Sequence, residues 1–234
     1  MNLPDPHRRL LADVVTAGAP YGLVLAGGYA LQAHGIVRRA HRNLDFATES
    51  GVGMAEIARG LAGALEVRGR RVEVRGVGSF AAQLVVGDPP SGESVELALH
   101  KEALWEPPEL TEYGPSLSLE DAVGTKVRAL YDRGAAVDLV DARAAAGRFS
   151  LPELEELGRR HAYDVFDLPT LQARLTGTDF YPDGDFIRYG LTRQDVSDLR
   201  AWAQHWSDDI GERLLEDGAD PDQADPDQES EESE

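Results

Sequence analysis

A chain of 234 residues with 42% hydrophobic and 28% charged side chains can bury a sizeable core as one domain or two small ones, and its balance is that of a globular protein rather than a fibrous or wholly unfolded one. The absence of cysteine excludes disulfides, zinc–thiolate sites and thiol catalysis. The formal net charge is −19, but Glu216 to Glu234 hold ten acids and no base, so more than half of the excess sits in that stretch and the body is only moderately acidic.

The opening MNLPDPHRRL lacks the apolar core of a signal peptide, and no later run is long enough to span a bilayer, so the sequence predicts a cytosolic protein with no membrane partner. LLADVV predicts a first helix. Tyr21 to Ala26 (YGLVLA) is a short apolar run bounded by Gly27 and Gly28, which predicts a buried strand and a turn. YALQAH follows as a short helix, with Gly35 as its stop. Asn43 to Ala47 then alternates, with Leu44 and Phe46 on one face and Asn43, Asp45 and Ala47 on the other, as in a half-buried strand.

MAEIARGLAGAL predicts a helix, and RRVEVRG, AAQLVVG and ESVELAL predict three strands that add to the same sheet in antiparallel fashion. From Ser118 the pattern turns helical. Capping-box spacings at Ser118 with Asp121, Ser150 with Glu153 and Thr192 with Asp195 each precede an amphipathic run. The expected organisation is an α+β protein: a sheet domain over residues 1–115, a helical domain over 116–207, and an acidic tail over 208–234. The tail is predicted to be disordered, because it has too few apolar residues to offset the entropy of ordering.

Several residues could carry chemistry. A strand running into Gly27 and Gly28 and then a helix places free N–H groups and the positive end of the helix dipole where no side chain obstructs a phosphate, although such turns are commonly structural. Asn43 and Asp45, two apart on a strand, project together as a magnesium-holding pair does, but with one carboxylate instead of two. Glu96 interrupts the apolar strand Val95 to Leu99, either as a third acid of a site or as a solvent-facing edge residue.

Only Lys101 and Lys126 are lysines, and Lys126 falls on the first helix of the helical domain. Asp138 and Asp141 share a face of the next helix. Arg38, Arg39, His41 and Arg42 form a cationic cluster just before the Asn43 strand, suited either to a triphosphate or to a helix C-terminus. Trp105, Trp202 and Trp206 read as packing residues.

Leu23 to Leu31 (LVLAGGYAL), Asn43 to Phe46 (NLDF), Val123 to Leu130 (VGTKVRAL) and Asp138 to Asp141 (DLVD), in that order, resemble the AbiEii/AbiGii toxin family of nucleotidyltransferases. The resemblance covers about the first 145 residues. It implies a nucleotidyltransferase-like mixed β-sheet with flanking helices followed by a C-terminal helical bundle. It implies a phosphate loop at Gly27 and Gly28, and metal ligation by Asn43, Asp45 and Glu96. It further implies phosphate contact by Lys126, and a match of Asp138 and Asp141 to the Asp-x-x-Asp motif of the family's helical half. Two positions depart: Asn43 stands where the family's Asp-x-Asp begins, and Val137 where an Arg often precedes the later motif.

The expected function is a Mg2+-dependent nucleotidyltransferase moving an NMP from an NTP to an acceptor. Asp45, Glu96 and Lys126 would be catalytic, with Glu96 the candidate proton acceptor, and Gly27, Gly28, Arg39, Lys126, Asp138 and Asp141 would bind substrate. The resemblance implies tRNA as acceptor and a cognate antitoxin as partner. The moderately acidic body offers no overall basic footprint for RNA, and a small hydroxylated acceptor, as for antibiotic-modifying enzymes, fits that charge without strain. A pseudoenzyme that binds nucleotide without turning it over is the third reading, because of Asn43.

Overall fold

The computed structural model describes residues 3–39, 41–89 and 91–218. Helix α1 (Asp5–Gly18) leads through a 3-10 turn, Ala19–Tyr21, into β1 (Val24–Ala26). That turn, closed by Gly22 at φ 59°, takes up the first part of the run expected to be strand from Tyr21. Helix α2 (Gly27–Ala33) starts on the glycine pair and ends at Gly35, whose φ of 73° is the left-handed stop expected of it.

After β2 (Asn43–Thr48) and α3 (Met54–Val67) come β3 (Arg71–Val77), β4 (Ala81–Asp88), β5 (Glu93–Lys101), β6 (Glu109–Thr111) and β7 (Gly114–Ser116). The seven strands form one sheet in the order β3-β4-β5-β2-β1-β7-β6. β4 runs antiparallel to both β3 and β5 as expected, but β5 joins β2 in parallel, with Asn43 opposite Glu96, Asp45 opposite Ala98 and Ala47 opposite His100. The sheet is therefore mixed.

One face of the sheet is closed by α1 and α3. Leu44, Phe46, Leu84, Val86, Leu97 and Leu99 pack there against Leu10, Val14, Ile57 and Leu61. The helical half is α4 (Leu119–Arg133), α5 (Ala136–Ala145), α6 (Leu151–Arg160), α7 (Leu168–Thr176), α8 (Asp183–Ile187) and α9 (Arg193–Gly218). It covers the other face only at the β1–β2 end, where Val24, Ala26 and Ala47 join Val123, Val127, Leu130, Leu139 and Trp206 in a second core. On that side β3, β4 and β5 stay open: β3 is exposed along nearly its whole length, Gln83 is exposed and Ala98 is half-buried. A floor of strand residues thus runs out from under a wall of helices.

Helix α9 extends to Gly218, well past the expected end of the helical domain at residue 207. The capping box of Thr192 and Asp195 starts it, and Val196, Leu199, Ala203, Trp206 and Ile210 recur at helical spacing in the core. Beyond residue 207, Arg213 donates to Glu155 at 2.6 and 2.9 Å and Leu214 packs on the core, so the acidic composition of this stretch is outweighed by anchoring. The acidic residues 219–234 lie outside the described residues. Trp206 is fully buried and Trp202 packs against the core, whereas Trp105 is 55% exposed and donates its indole N–H to the Arg160 carbonyl. Among the described residues no helix is long and apolar enough to cross a membrane.

Candidate active site

The floor of strands and the wall of helices enclose a cavity of about 450 Å³. Its floor carries Asn43 and Asp45 from β2, Ala98 and His100 from β5 and Gln83 from β4. Gly27 and Gly28, at the β1–α2 junction, form one rim. Lys126, Arg128, Ala129 and Arg133 come from α4, Val137 from α5, and Arg188 and Tyr189 from the turn after α8.

The glycine pair is required by close approach. Gly27 has φ 59°, and a Cβ there would fall inside the Asp45 carboxylate; a Cβ on Gly28 would fall inside the His41 imidazole. The start of α2 is thereby pressed against the two groups that β2 and its preceding loop bring to the cavity, which leaves backbone and carboxylate side by side.

Asp45 Oδ1 accepts a hydrogen bond from Asn43 Nδ2 at 2.5 Å. Burial pushes the Asp45 pKa up, against the pull of Lys126, His100 and Arg133, so its charge is held at a cost unless a cation approaches. Glu96 stands opposite Asn43 on the same sheet face but is exposed and does not line the cavity. The register decides this: the strand position beside Asp45 is Ala98, so the expected third carboxylate is absent from the floor. Among the described residues there is no cluster of three or more His, Asp or Glu able to hold a metal by itself.

Behind the surface lies an ion-pair network. Asp141, with no exposed side-chain area, accepts from Arg39 at 2.6 Å and pairs with Lys126 at 3.1 Å. Burial alone would raise its pKa, but Lys126 and Arg39 together outweigh that and lower it. For Lys126, burial works to lower the pKa, and Asp141, Asp45 and Asp138 override it, keeping the amine charged. Asp138 is likewise fully buried and takes both nitrogens of the Arg133 fork at 2.8 Å. The sequence placed Asp138 and Asp141 among substrate-binding residues; neither lines the cavity, because both are consumed in anchoring the cations that do.

Arg39 also donates to His41 Nδ1 at 3.0 Å. Burial first, and the neighbouring Arg39 charge second, lower the His41 pKa to about 3, so the ring is neutral at ordinary pH. Arg128 is held by Glu102 through two bonds of 2.7 Å and lies over the Tyr163 ring, 4.4 Å from its centroid.

Of the residues picked from sequence, Gly27, Gly28, Arg39, Asn43, Asp45 and Lys126 meet at the cavity. Sequence reading missed Glu102, Arg128, Arg133, Arg188 and Tyr189. Arg133 follows Lys126 by two helical turns, so helical periodicity could have found it; Arg188 and Tyr189 sit in a turn that carried no local signal. Six cations (Arg39, Arg42, Lys126, Arg128, Arg133 and Arg188) and two carboxylates, Asp45 and Glu102, line the cavity, while three further acids, Asp138, Asp141 and Asp185, pair with four of those cations from behind, so the local balance is slightly positive. In a chain at −19 that makes the cavity the place where cationic side chains gather, and it suits an anion.

No protein-family profile and no curated protein matches the chain by sequence. Solved structures do match its fold. JHP933 from Helicobacter pylori shares 18% identity at a TM-score of 0.51, covering 93% of this chain and 99% of its own. A further H. pylori structure, described as that of a candidate nucleotidyltransferase, gives 18% identity and a TM-score of 0.54 over 89% of this chain and 96% of its own. MenT4 from Mycobacterium tuberculosis, a nucleotidyltransferase toxin, gives 19% and 0.52 over 89% and 92%. The chain therefore has a nucleotidyltransferase-like fold: a mixed sheet with flanking helices and a C-terminal set of helices.

Proposed function

We propose that the cavity is the active site of a nucleotidyltransferase that moves a nucleoside monophosphate from an NTP to an acceptor hydroxyl and releases pyrophosphate. The observation that carries this reading is the cationic lining closed around Asp45 and the glycine turn within an acidic protein. Gly27 and Gly28 let a phosphate approach the backbone at the start of α2. Lys126, fixed by Asp141, and Arg133, fixed by Asp138, meet its charge with side chains that need no rearrangement. Such a site works by positioning and electrostatics more than by covalent chemistry.

Magnesium would be held by Asp45, joined by the Asn43 oxygen once that amide turns over from its present bond to Asp45, since the ion takes one or two protein carboxylates and completes its shell with phosphate oxygens. The buried Asp45 charge would gain a cation, and the ion would supply neutralisation of the phosphates. Glu96, outside the cavity, is not placed to take the proton of the acceptor.

Asp45→Ala is expected to abolish release of pyrophosphate from NTP, and Asn43→Asp to preserve or raise it; unchanged turnover in Asp45→Ala overturns the mechanism. Exposed Arg42, Arg133 and Arg188 at the mouth favour a polyanionic acceptor such as tRNA over a small molecule. Label from an NTP appearing on tRNA separates the two. A protein that binds NTP with magnesium yet releases no pyrophosphate is instead the nucleotide-binding module that Asn43 makes conceivable. By likeness of fold to a toxin, a cognate antitoxin belongs to the same proposal.

A further inference from the structure

With Glu96 outside the cavity, the proton of an acceptor hydroxyl needs another destination. The lining offers Asp45, Glu102, His41 and His100. Asp45 is the carboxylate that the proposed site gives to magnesium. Glu102 has both oxygens occupied, by the Arg128 fork at 2.7 Å and, at Oε1, by the Tyr163 hydroxyl at 3.1 Å. His41 turns Nδ1 to the Arg39 guanidinium at 3.0 Å; arginine can only donate, so the accepting nitrogen of that ring is already used.

His100 remains. Among the described residues the histidine rings engaged in hydrogen bonds are those of His7, His34, His41 and His161, and His100 is not one of them. The reason is local. Its neighbours on this face of the sheet are Ala98 before it, Ala47 across on β2 and Ala81 across on β4, and an alanine side chain cannot bond a ring nitrogen. The residue is half-buried, neither sealed in the core nor free in solvent.

Its place relative to Asp45 suits the reaction. β2 lies between β1 and β5. On the β1 side Ala26 is opposite Asp45 and Gly27 follows it; on the β5 side Ala98 is opposite Asp45 and His100 is two residues beyond. The glycine turn and the imidazole therefore flank Asp45 from opposite sides. Displacement at phosphorus puts the attacking and leaving oxygens roughly in line, on opposite sides of the phosphorus. A pyrophosphate held at the glycine turn departs away from His100, and the acceptor comes in over the part of the sheet that the helices leave open.

We infer that His100 takes the proton of the acceptor hydroxyl. The inference rests on the reading of the cavity as a nucleotidyltransferase site. The acceptor oxygen bonds to the α-phosphorus as the bond from that phosphorus to the bridging oxygen of pyrophosphate breaks. The hydroxyl proton passes to the unprotonated nitrogen of the His100 ring, which returns it to solvent after the product leaves. His100 is then a catalytic residue supplied by β5, the strand whose Glu96 stands too far along to serve.

The test uses the full chain and its His100→Ala and His100→Gln variants, each first shown by thermal melting to be folded. Two quantities are read: pyrophosphate release from the four NTPs with magnesium and total tRNA, and calorimetric affinity for the α,β-methylene analogues of those NTPs, which cannot be cleaved at the reacting bond. Both variants are expected to lose about 100-fold or more in release while the affinity for the analogues stays within about twofold of wild type. Added imidazole is expected to restore release to His100→Ala, whose missing ring leaves room for it.

Release within about threefold of wild type in either variant overturns the inference, being far below the effect of a lost proton acceptor. So does a matching loss of analogue affinity, which would make His100 a binding residue, and so does a loss in His100→Ala that imidazole leaves unrepaired. No release by the wild type removes the transferase reading itself; release that His100→Ala retains removes this inference alone.

Discussion

Asp45 is the residue at which stability and chemistry conflict. Desolvation in the cavity raises its pKa despite Lys126, His100 and Arg133, so the folded state favours the protonated form more than the unfolded chain does. A raised folded pKa means that its stabilising contribution is present below about pH 3.8 and is lost as the pH rises through the folded value. Asp45→Asn, which can still accept the Asn43 amide hydrogen, is therefore expected to melt at or above the wild-type temperature at pH 7 while losing turnover. A clear drop in melting temperature would show that the Asp45 charge is a net stabiliser. Glu96 illustrates the limit of reading single residues. Alternation along β5 places it on the correct face, but a face is not a position, and the pairing register sets Ala98, not Glu96, beside Asp45.

At the level of elements, α4 shows how one sequence signal can hide two functions. The spacing of Ser118 and Asp121 predicts a reciprocal capping box, and the Ser118 hydroxyl does accept from the Asp121 N–H at 3.0 Å. The Asp121 carboxylate, however, turns away to the His161 ring at 3.1 Å and to the Glu106 N–H at 3.2 Å, tying α4 to α6 and to the loop after β5. Ser118→Ala should cost about 1 kcal/mol, or roughly 2–4 °C in melting temperature for a protein of this size. Asp121→Ala should cost more, about 2–3 kcal/mol, because it leaves the buried His161 nitrogen unpaired. Equal effects of the two substitutions, measured by denaturant titration, would reduce Asp121 to a cap. The tie matters for the site, since α4 carries Lys126, Arg128 and Arg133 into the cavity.

For the whole molecule, the groups that respond to acid include the interior histidines. Burial lowers the pKa of His7, and burial with Arg39 brings His41 to about 3. Between about pH 6.5 and 3 the unfolded chain takes up a proton at His41 that the folded chain refuses, and His7 acts in the same direction, so their contribution is intact above 6.5 and is lost progressively as the pH falls. For His41 the loss between pH 6.5 and 5 is about 2 kcal/mol, and a His41→Gln variant should show a shallower decline of unfolding free energy over that interval. An unchanged slope would mean that His41 titrates normally in the fold. The ring sits against Gly28 and is bonded to Arg39, so the acid response of the fold and the shape of the cavity share one residue.

The sequence by itself determined the local grammar: the glycine turn, the alternation of β2 and the helical second half; it also picked out Gly27, Gly28, Arg39, Asn43, Asp45 and Lys126, which meet at one cavity. Those signals are short-range, set by backbone freedom at glycine and by the periods of strand and helix. Tertiary structure alone decided the rest. The parallel pairing of β2 with β5 removed Glu96 from the floor, and burial turned Asp138 and Asp141 from ligands into anchors. Packing of Arg213 and Leu214 carried α9 through a stretch whose composition argued for disorder. The turn after α8 brought Arg188 and Tyr189 to a cavity whose other wall begins at residue 26. None of these could be read locally, because each depends on which surfaces meet, and that is fixed by the burial of two cores on opposite faces of one sheet.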